Sequence, residues 1–129
     1  MTRKVLVIDD QPLEGEMIEH ILRRSRPDVI YCGQALNAAD GIRMASERDP
    51  DLIFLDIRMP GMDGLSAIAP LREACPRAQI VMLTAFDDFD SMRAAMRAGT
   101  ADYLLKPIRP ADILDVFDAC DRSREPKEK

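Results

Sequence analysis

Histidine and cysteine are scarce in this chain, and their scarcity removes whole classes of chemistry. There is one His and there are three Cys among 129 residues. Cys32, Cys75 and Cys120 are odd in number, far apart and without the close spacing of a zinc site, so they read as reduced thiols filling a core in a cytosolic protein. His20 falls on no recognised site and receives no catalytic role. Long apolar runs are also missing. Val5-Leu6-Val7-Ile8 is far too short to cross a bilayer and the amino terminus has no apolar signal region, so the expectation is a soluble, cytoplasmic protein with no membrane contact. Excess positive charge is lacking too: 18 basic against 23 acidic residues leave a net charge of -5. No basic stretch or helix-turn-helix stands apart, which argues against direct nucleic acid binding. A Gly-rich or hydroxyl-rich phosphate loop after the first strand is absent, and Gln11-Pro12-Leu13 in its place argues against a flavin or nucleotide carrier. No solenoid repeat is present.

What the chain has is apolar residues, 47% of the total, enough for the core of one domain and no more. Short β-branched or apolar runs alternate with longer amphipathic stretches five times, the pattern of an α/β fold with a parallel sheet between helices. The predicted strands are Lys4 to Asp9, Val29 to Gly33, Leu52 to Asp56, Gln79 to Thr84 and Asp102 to Leu105. Leu13, Met17, Ile18, Ile21 and Leu22 form one helical stripe; Ala38, Ile42 and Ala45 form a second behind a cap at Asn37. Leu65, Ile68 and Leu71 mark a third helix. A fourth runs from about Asp88 to Ala98 and stops at Gly99, and a fifth opens at Pro110 and buries Ile113, Leu114, Phe117 and Cys120. Residues 1–122 are expected to form the domain. From Asp121 onward the chain turns charged, and 123–129 read as a disordered tail or truncated linker.

Asp56 ends the apolar run Leu52-Ile53-Phe54-Leu55-Asp56, and Ile57 to Gly64 is too rich in Pro and Gly to extend the strand. Open α/β sheets carry their chemistry at the carboxyl ends of the strands. At that edge, strand 1 ends in Asp9-Asp10, strand 3 in Asp56, strand 4 in Thr84, and strand 5 runs into Lys106-Pro107. Taken singly these are bland: Asp9-Asp10 is a turn or cap, Lys106-Pro107 a turn, Thr84 a strand-end hydroxyl, Tyr103 a half-buried sheet residue. Together they bring three carboxylates, a hydroxyl and an ammonium to one area. The carboxylates need raised pKa values or a counter-cation. Oxygen donors without His or Cys indicate a hard ion, Mg²⁺ with Mn²⁺ as a substitute. Asp56 can then attack phosphorus while Lys106 and Thr84 bind the transferring group, which makes the site a phosphoryl acceptor.

These residues resemble the receiver domains of two-component response regulators, related to the chemotaxis response regulator. The likeness covers about Lys4 to Asp121. It rests on Val7-Ile8-Asp9-Asp10, on Leu55-Asp56-Ile57-Arg58-Met59-Pro60-Gly61-Met62-Asp63-Gly64, on Leu83-Thr84-Ala85 and on Asp102-Tyr103-Leu104-Leu105-Lys106-Pro107. The resemblance implies a single doubly wound (βα)5 flavodoxin-like domain with strand order 2-1-3-4-5. It implies that Asp56 takes a phosphoryl group from a sensor histidine kinase or phosphotransfer protein. Asp9, Asp10, Asp56 and the backbone carbonyl of Arg58 would hold Mg²⁺, Lys106 would pair with the phosphoryl group, Thr84 would move towards it, and Tyr103 would turn inward as the aromatic switch. The Lys106-Pro107 bond would be cis. The chain would catalyse its own phosphorylation and dephosphorylation, yet act mainly as a signalling switch on an output domain or partner protein through the surface of helix 4, strand 5 and helix 5. The resemblance leaves open a homodimer through the same face.

Some features fall outside this scheme. Asp87, Asp88 and Asp90 suit the first turn of a helix rather than a second metal cluster. Met59 and Met62 read as loop packing or a partner contact. Arg58 and a bulky Phe86 flank the path of an attacking water and suggest a long-lived phosphoprotein. A dehalogenase-like phosphatase would need an Asp-x-Asp pattern where the chain has Asp9-Asp10-Gln11. The remaining alternative is a receiver-like binding module that works without phosphorylation.

Overall fold

Each apolar run anticipated as a strand is one. The computed structural model describes residues 3–85 and 89–124, with side chains through Asp121; Phe86, Asp87 and Asp88 therefore lie outside the described residues. The order is β1 (Arg3–Ile8), α1 (Pro12–Ser25), β2 (Val29–Ala35), α2 (Ala38–Arg48), β3 (Leu52–Asp56), α3 (Gly64–Ala74), β4 (Gln79–Thr84), α4 (Phe89–Arg97), β5 (Asp102–Leu105) and α5 (Pro110–Arg124). All strand pairs are parallel and the sheet order is β2-β1-β3-β4-β5. This is the flavodoxin-like doubly wound arrangement. Among the described residues no helix is long and apolar enough to cross a membrane.

The alternation of β1 explains the two cores. Val5 and Val7 face Ile18, Ile21 and Leu22 of α1 and Ile113, Val116 and Phe117 of α5. Leu6 and Ile8 face the other way, towards Ala38 and Ala45 of α2, Ala67, Ile68 and Leu71 of α3, and Ala95 of α4. The central strand β3 is buried along its whole length, as a strand covered on both faces must be. Asn37 caps α2 by accepting the Asp40 N–H at 2.8 Å, and Gly99 takes φ +95° just beyond α4.

Four expectations need correction. Leu13 is 76% exposed: α1 begins at Pro12, so Leu13 occupies a first turn that sits beside the acidic edge rather than over the apolar face. Leu114 is only half-buried. β2 continues past Gly33 to Ala35, because that glycine, with φ +127°, serves a bulge instead of a stop. α5 runs through Asp121 to Arg124. Asp121 is held there by Arg3 Nη2 at 2.6 Å and Arg26 Nη2 at 3.2 Å, while the Arg26 guanidinium lies 5.2 Å from the centroid of the Phe117 ring. The three thiols are free; Cys75 and Cys120 are buried, and Cys32 is partly exposed on β2.

Candidate functional site

Parallel pairing aligns the carboxyl ends of β1, β3, β4 and β5 along one edge. Asp9 follows β1 directly, its N–H donating to the Ala35 carbonyl at 3.0 Å. Asp56 closes β3 opposite Leu83, and Thr84 closes β4 opposite Leu105. Lys106 follows β5, anchored by its N–H donating to the Thr84 carbonyl at 2.8 Å, and the Lys106-Pro107 bond is cis.

Residues far apart in sequence meet at this edge. One carboxylate oxygen from each of Asp9, Asp10 and Asp56 lies within 4.8 Å of the other two. Asp9 is fully buried and Asp56 is 5% exposed. Lys106 Nζ stands 3.4 Å from Asp56 Oδ1 and 3.4 Å from Asp9 Oδ2. Asp9 Oδ1 also accepts the Gln11 N–H at 2.9 Å, which closes the loop around Asp10.

Charge is badly balanced here. Burial raises the pKa of Asp56, the Asp9 carboxylate raises it further, and Lys106 pulls against both; the outcome is a value of about 7. Asp9 is also raised, by burial first, against the Gln11 N–H and Lys106. Burial works against the charge on Lys106, but Asp56, Asp9 and Glu14 outweigh it and hold its pKa above the ordinary value. One ammonium does not neutralise the carboxylates around it, and the excess can be met by protons or by a cation. The donor set fits a hard divalent cation: three carboxylates close enough to share one ion, and no sulfur or imidazole among them.

The other expected residues are placed as follows. Thr84 is buried, its hydroxyl donating to the Ala85 carbonyl at 3.2 Å. Tyr103 is half-buried on β5 and packs against the cluster on the α2, α3 and α4 face. Arg58 lies on the exposed loop after β3. In that loop the Gly64 N–H donates to the Ile57 carbonyl at 2.8 Å, and Asp63 caps α3 by accepting the Ser66 N–H at 2.9 Å.

Two contributors were missed from the sequence. Glu14 Oε1 lies 3.9 Å from Lys106 Nζ; the available signal was an acid in the first turn of a helix opened by Pro12, immediately after the Asp9-Asp10 loop. Gln34 of β2 donates from Nε2 to the carbonyls of Asp9 at 3.0 Å and Gln11 at 2.9 Å. No local pattern announced it, because its reach depends on how β2 pairs with β1.

Comparison with known proteins agrees with this geometry. The family pattern described as the response regulator receiver domain matches residues 5–118. The nitrate/nitrite response regulator protein NarL of Escherichia coli is 36% identical over 110 residues, covering 85% of this chain and 50% of that protein. The chemotaxis protein CheY of Halobacterium salinarum is 30% identical over 117 residues, 91% of this chain and 95% of CheY. Among solved structures, the REC domain of AraT, a response regulator from Geobacillus stearothermophilus, superposes with a TM-score of 0.85 at 27% identity, covering 97% of this chain and 100% of that one. The chain spans about half the length of the longer curated relatives it matches.

Proposed function

We propose a function from one premise: this chain belongs to the response regulator receiver domain family of two-component systems. Asp56 is the phosphoacceptor. One of its carboxylate oxygens attacks the phosphorus of a phosphohistidine on a sensor histidine kinase or phosphotransfer protein. A P–O bond forms as the P–N bond breaks, and the electron pair returns to the imidazole, which takes up a proton. In the other half of the cycle water attacks the same phosphorus, the P–O bond to Asp56 breaks, and inorganic phosphate leaves with Asp56 restored as a free carboxylate. The observation that carries this reading is Lys106 Nζ at 3.4 Å from Asp56 within a triad of carboxylates spaced for one cation.

Asp9, Asp10 and Asp56 would hold Mg²⁺, or Mn²⁺ in its place, with the backbone carbonyl of Arg58 as a further protein ligand. When bound, the ion neutralises carboxylate charge and polarises a phosphoryl oxygen. Asp9 and Asp10 position it, and Lys106 supplies an ammonium for the negative phosphoryl oxygens. Thr84, whose hydroxyl donates to the neighbouring Ala85 carbonyl, can turn to donate to a phosphoryl oxygen, and Tyr103 follows inward as the switch residue.

Signalling follows from charge. A phosphoryl group brings about -1.5 to -2 units. Its contacts with Lys106 and Thr84 bias two arrangements of the surface made by α4, β5 and α5, which an output domain or partner protein reads. Moving that surface from about 1% to about 99% active requires roughly 5.5 kcal/mol of differential interaction. Residues 1–122 carry the activity, and the charged stretch from 123 onward, which begins within α5, serves as tail or linker.

The test is to incubate the protein with a small phosphodonor and Mg²⁺ and measure its intact mass. One added phosphoryl group is expected, absent with EDTA and absent from Asp56→Asn. An unmodified wild-type chain that still bound a partner would favour the phosphorylation-independent binding module instead.

A further inference from the structure

The carboxyl end of β2 does something that the triad itself does not explain. Residues of β1 and β2 pair as Arg3 with Val29, Lys4 with Ile30 and Val5 with Tyr31, but then Leu6 pairs with Gly33, Val7 with Gln34 and Ile8 with Ala35. Cys32 is the extra residue. Gly33 makes the bulge affordable, since its φ of +127° is a conformation that side-chain-bearing residues rarely adopt. Arg48, at the end of α2, donates to the Cys32 carbonyl and pins the bulge.

A bulge of one residue reverses the face of everything beyond it. Parallel partners in register share a face, so Tyr31 lies with Val5 on the α1 side of the sheet. Strict alternation would send Gln34 to the opposite side from Tyr31. With Cys32 inserted it pairs with Val7 instead and returns to the α1 side. There its Nε2 donates to the carbonyls of Asp9 and Gln11, the two residues flanking Asp10. The backbone of Gly15 in α1 leaves the space. A Cβ on that glycine would stand 1.9 Å from Gln34 Oε1 and 2.3 Å from its Cδ. Tyr31 closes the same corner, its hydroxyl donating to the Gly15 carbonyl at 3.2 Å.

We propose that Gln34, turned inward by the Cys32–Gly33 bulge and accommodated by Gly15, is a positioning residue that holds the Asp9-Asp10-Gln11 backbone so that Asp10 faces the cation. The proposal rests on the reading of Asp9, Asp10 and Asp56 as that cation's ligands. Gln34 itself touches neither the ion nor the phosphoryl group. It fixes the peptides on both sides of Asp10, and outer-shell contacts of this kind commonly change metal affinity by about tenfold or more when removed.

Mg²⁺ affinity of the full chain, measured by calorimetric titration at pH 8, tests the idea without reference to phosphorylation. Gln34→Ala is expected to weaken binding about tenfold, and Gly15→Ala to do the same by displacing the carboxamide. The double variant should bind no more weakly than Gln34→Ala, because the carboxamide that the methyl displaces is already gone and the Tyr31 hydroxyl, 3.0 Å from the same position, has only to shift by a few tenths of an ångström. Melting in EDTA identifies variants that are merely unfolded, and the amide resonances of Asp10 and Gln11 in EDTA should move in both single variants. Wild-type affinity in folded Gln34→Ala, or losses that multiply in the double variant, would overturn the role of Gln34 while the cation site stands, provided that Asp56→Asn loses Mg²⁺ affinity. A wild-type chain that binds no Mg²⁺ at all would overturn the cation site and this inference with it.

Discussion

Replacing Asp56 by Asn should stabilise the metal-free protein, and by more as the pH rises. Asp56 is 5% exposed and shares its site with two other carboxylates, so its pKa stands at about 7 against an ordinary 3.8. Because the folded value is the higher one, the folded protein holds this proton more tightly than the unfolded chain does. The favourable contribution is therefore complete below the ordinary value and is lost progressively as the pH climbs towards the folded one. Between pH 5 and pH 8 linkage assigns a loss of roughly 2 to 3 kcal/mol to this side chain. Asn keeps the shape and does not titrate. Its stability advantage should grow by about that amount over the same interval, corresponding to a change in melting temperature on the order of 10 °C for a domain of this size. Lys106 retains Asp9 and Glu14 as partners in the variant, which keeps the loss of its third partner from cancelling the gain. Thermal melts of both proteins in EDTA at several pH values measure the difference directly. Adding Mg²⁺ at pH 8 should raise the wild type towards the variant, since a bound cation stabilises the folded state by mass action. A melting difference that is the same at pH 5 and pH 8, or a variant less stable than wild type at pH 8, would refute the claim that crowded, buried charge governs this site.

Two further outcomes are expected. Lys106→Met removes the ammonium from between Asp56 and Asp9 and should destabilise the metal-free chain at pH 8 by about 3 kcal/mol; Mg²⁺ should restore much of that loss in a melting experiment, and a failure to do so would mean that Lys106 acts through something other than charge. Asn37→Ala deletes the acceptor for the Asp40 N–H at the start of α2 and should cost about 1 kcal/mol in denaturant unfolding without altering Mg²⁺ affinity.

Much of the site was legible because chemistry-bearing residues close short apolar runs. Leu52 to Asp56 and Gln79 to Thr84 are strands with the anticipated bounds, and a strand that ends where Pro and Gly begin delivers its last side chain to the sheet edge. Helix α2 was equally legible, since Asn37 and the Ala38, Ile42, Ala45 stripe are local signals. Leu13 misled because periodicity records spacing and not what lies beneath a helix's first turn. Gly33 misled because glycine ends some strands and bulges others, and the choice is made by the neighbouring strand. Gln34 was invisible for the same reason, and the first-turn position of Glu14 gave no sign of its partner Lys106: each acts on a residue brought to it by packing.

Composition and local pattern alone were sufficient for the alternation of strands and helices and for the strand-end positions of Asp9, Asp56, Thr84 and Lys106. Those properties depend on hydrophobic period and residue type, which are written residue by residue. Tertiary structure decided that Lys106 lies 3.4 Å from Asp56 and Asp9, that three carboxylates lie within 4.8 Å of one another, and that a single extra residue in β2 turns Gln34 towards the loop of Asp10. Distances between strands and the face on which a side chain emerges arise from pairing register, and register belongs to two segments at once.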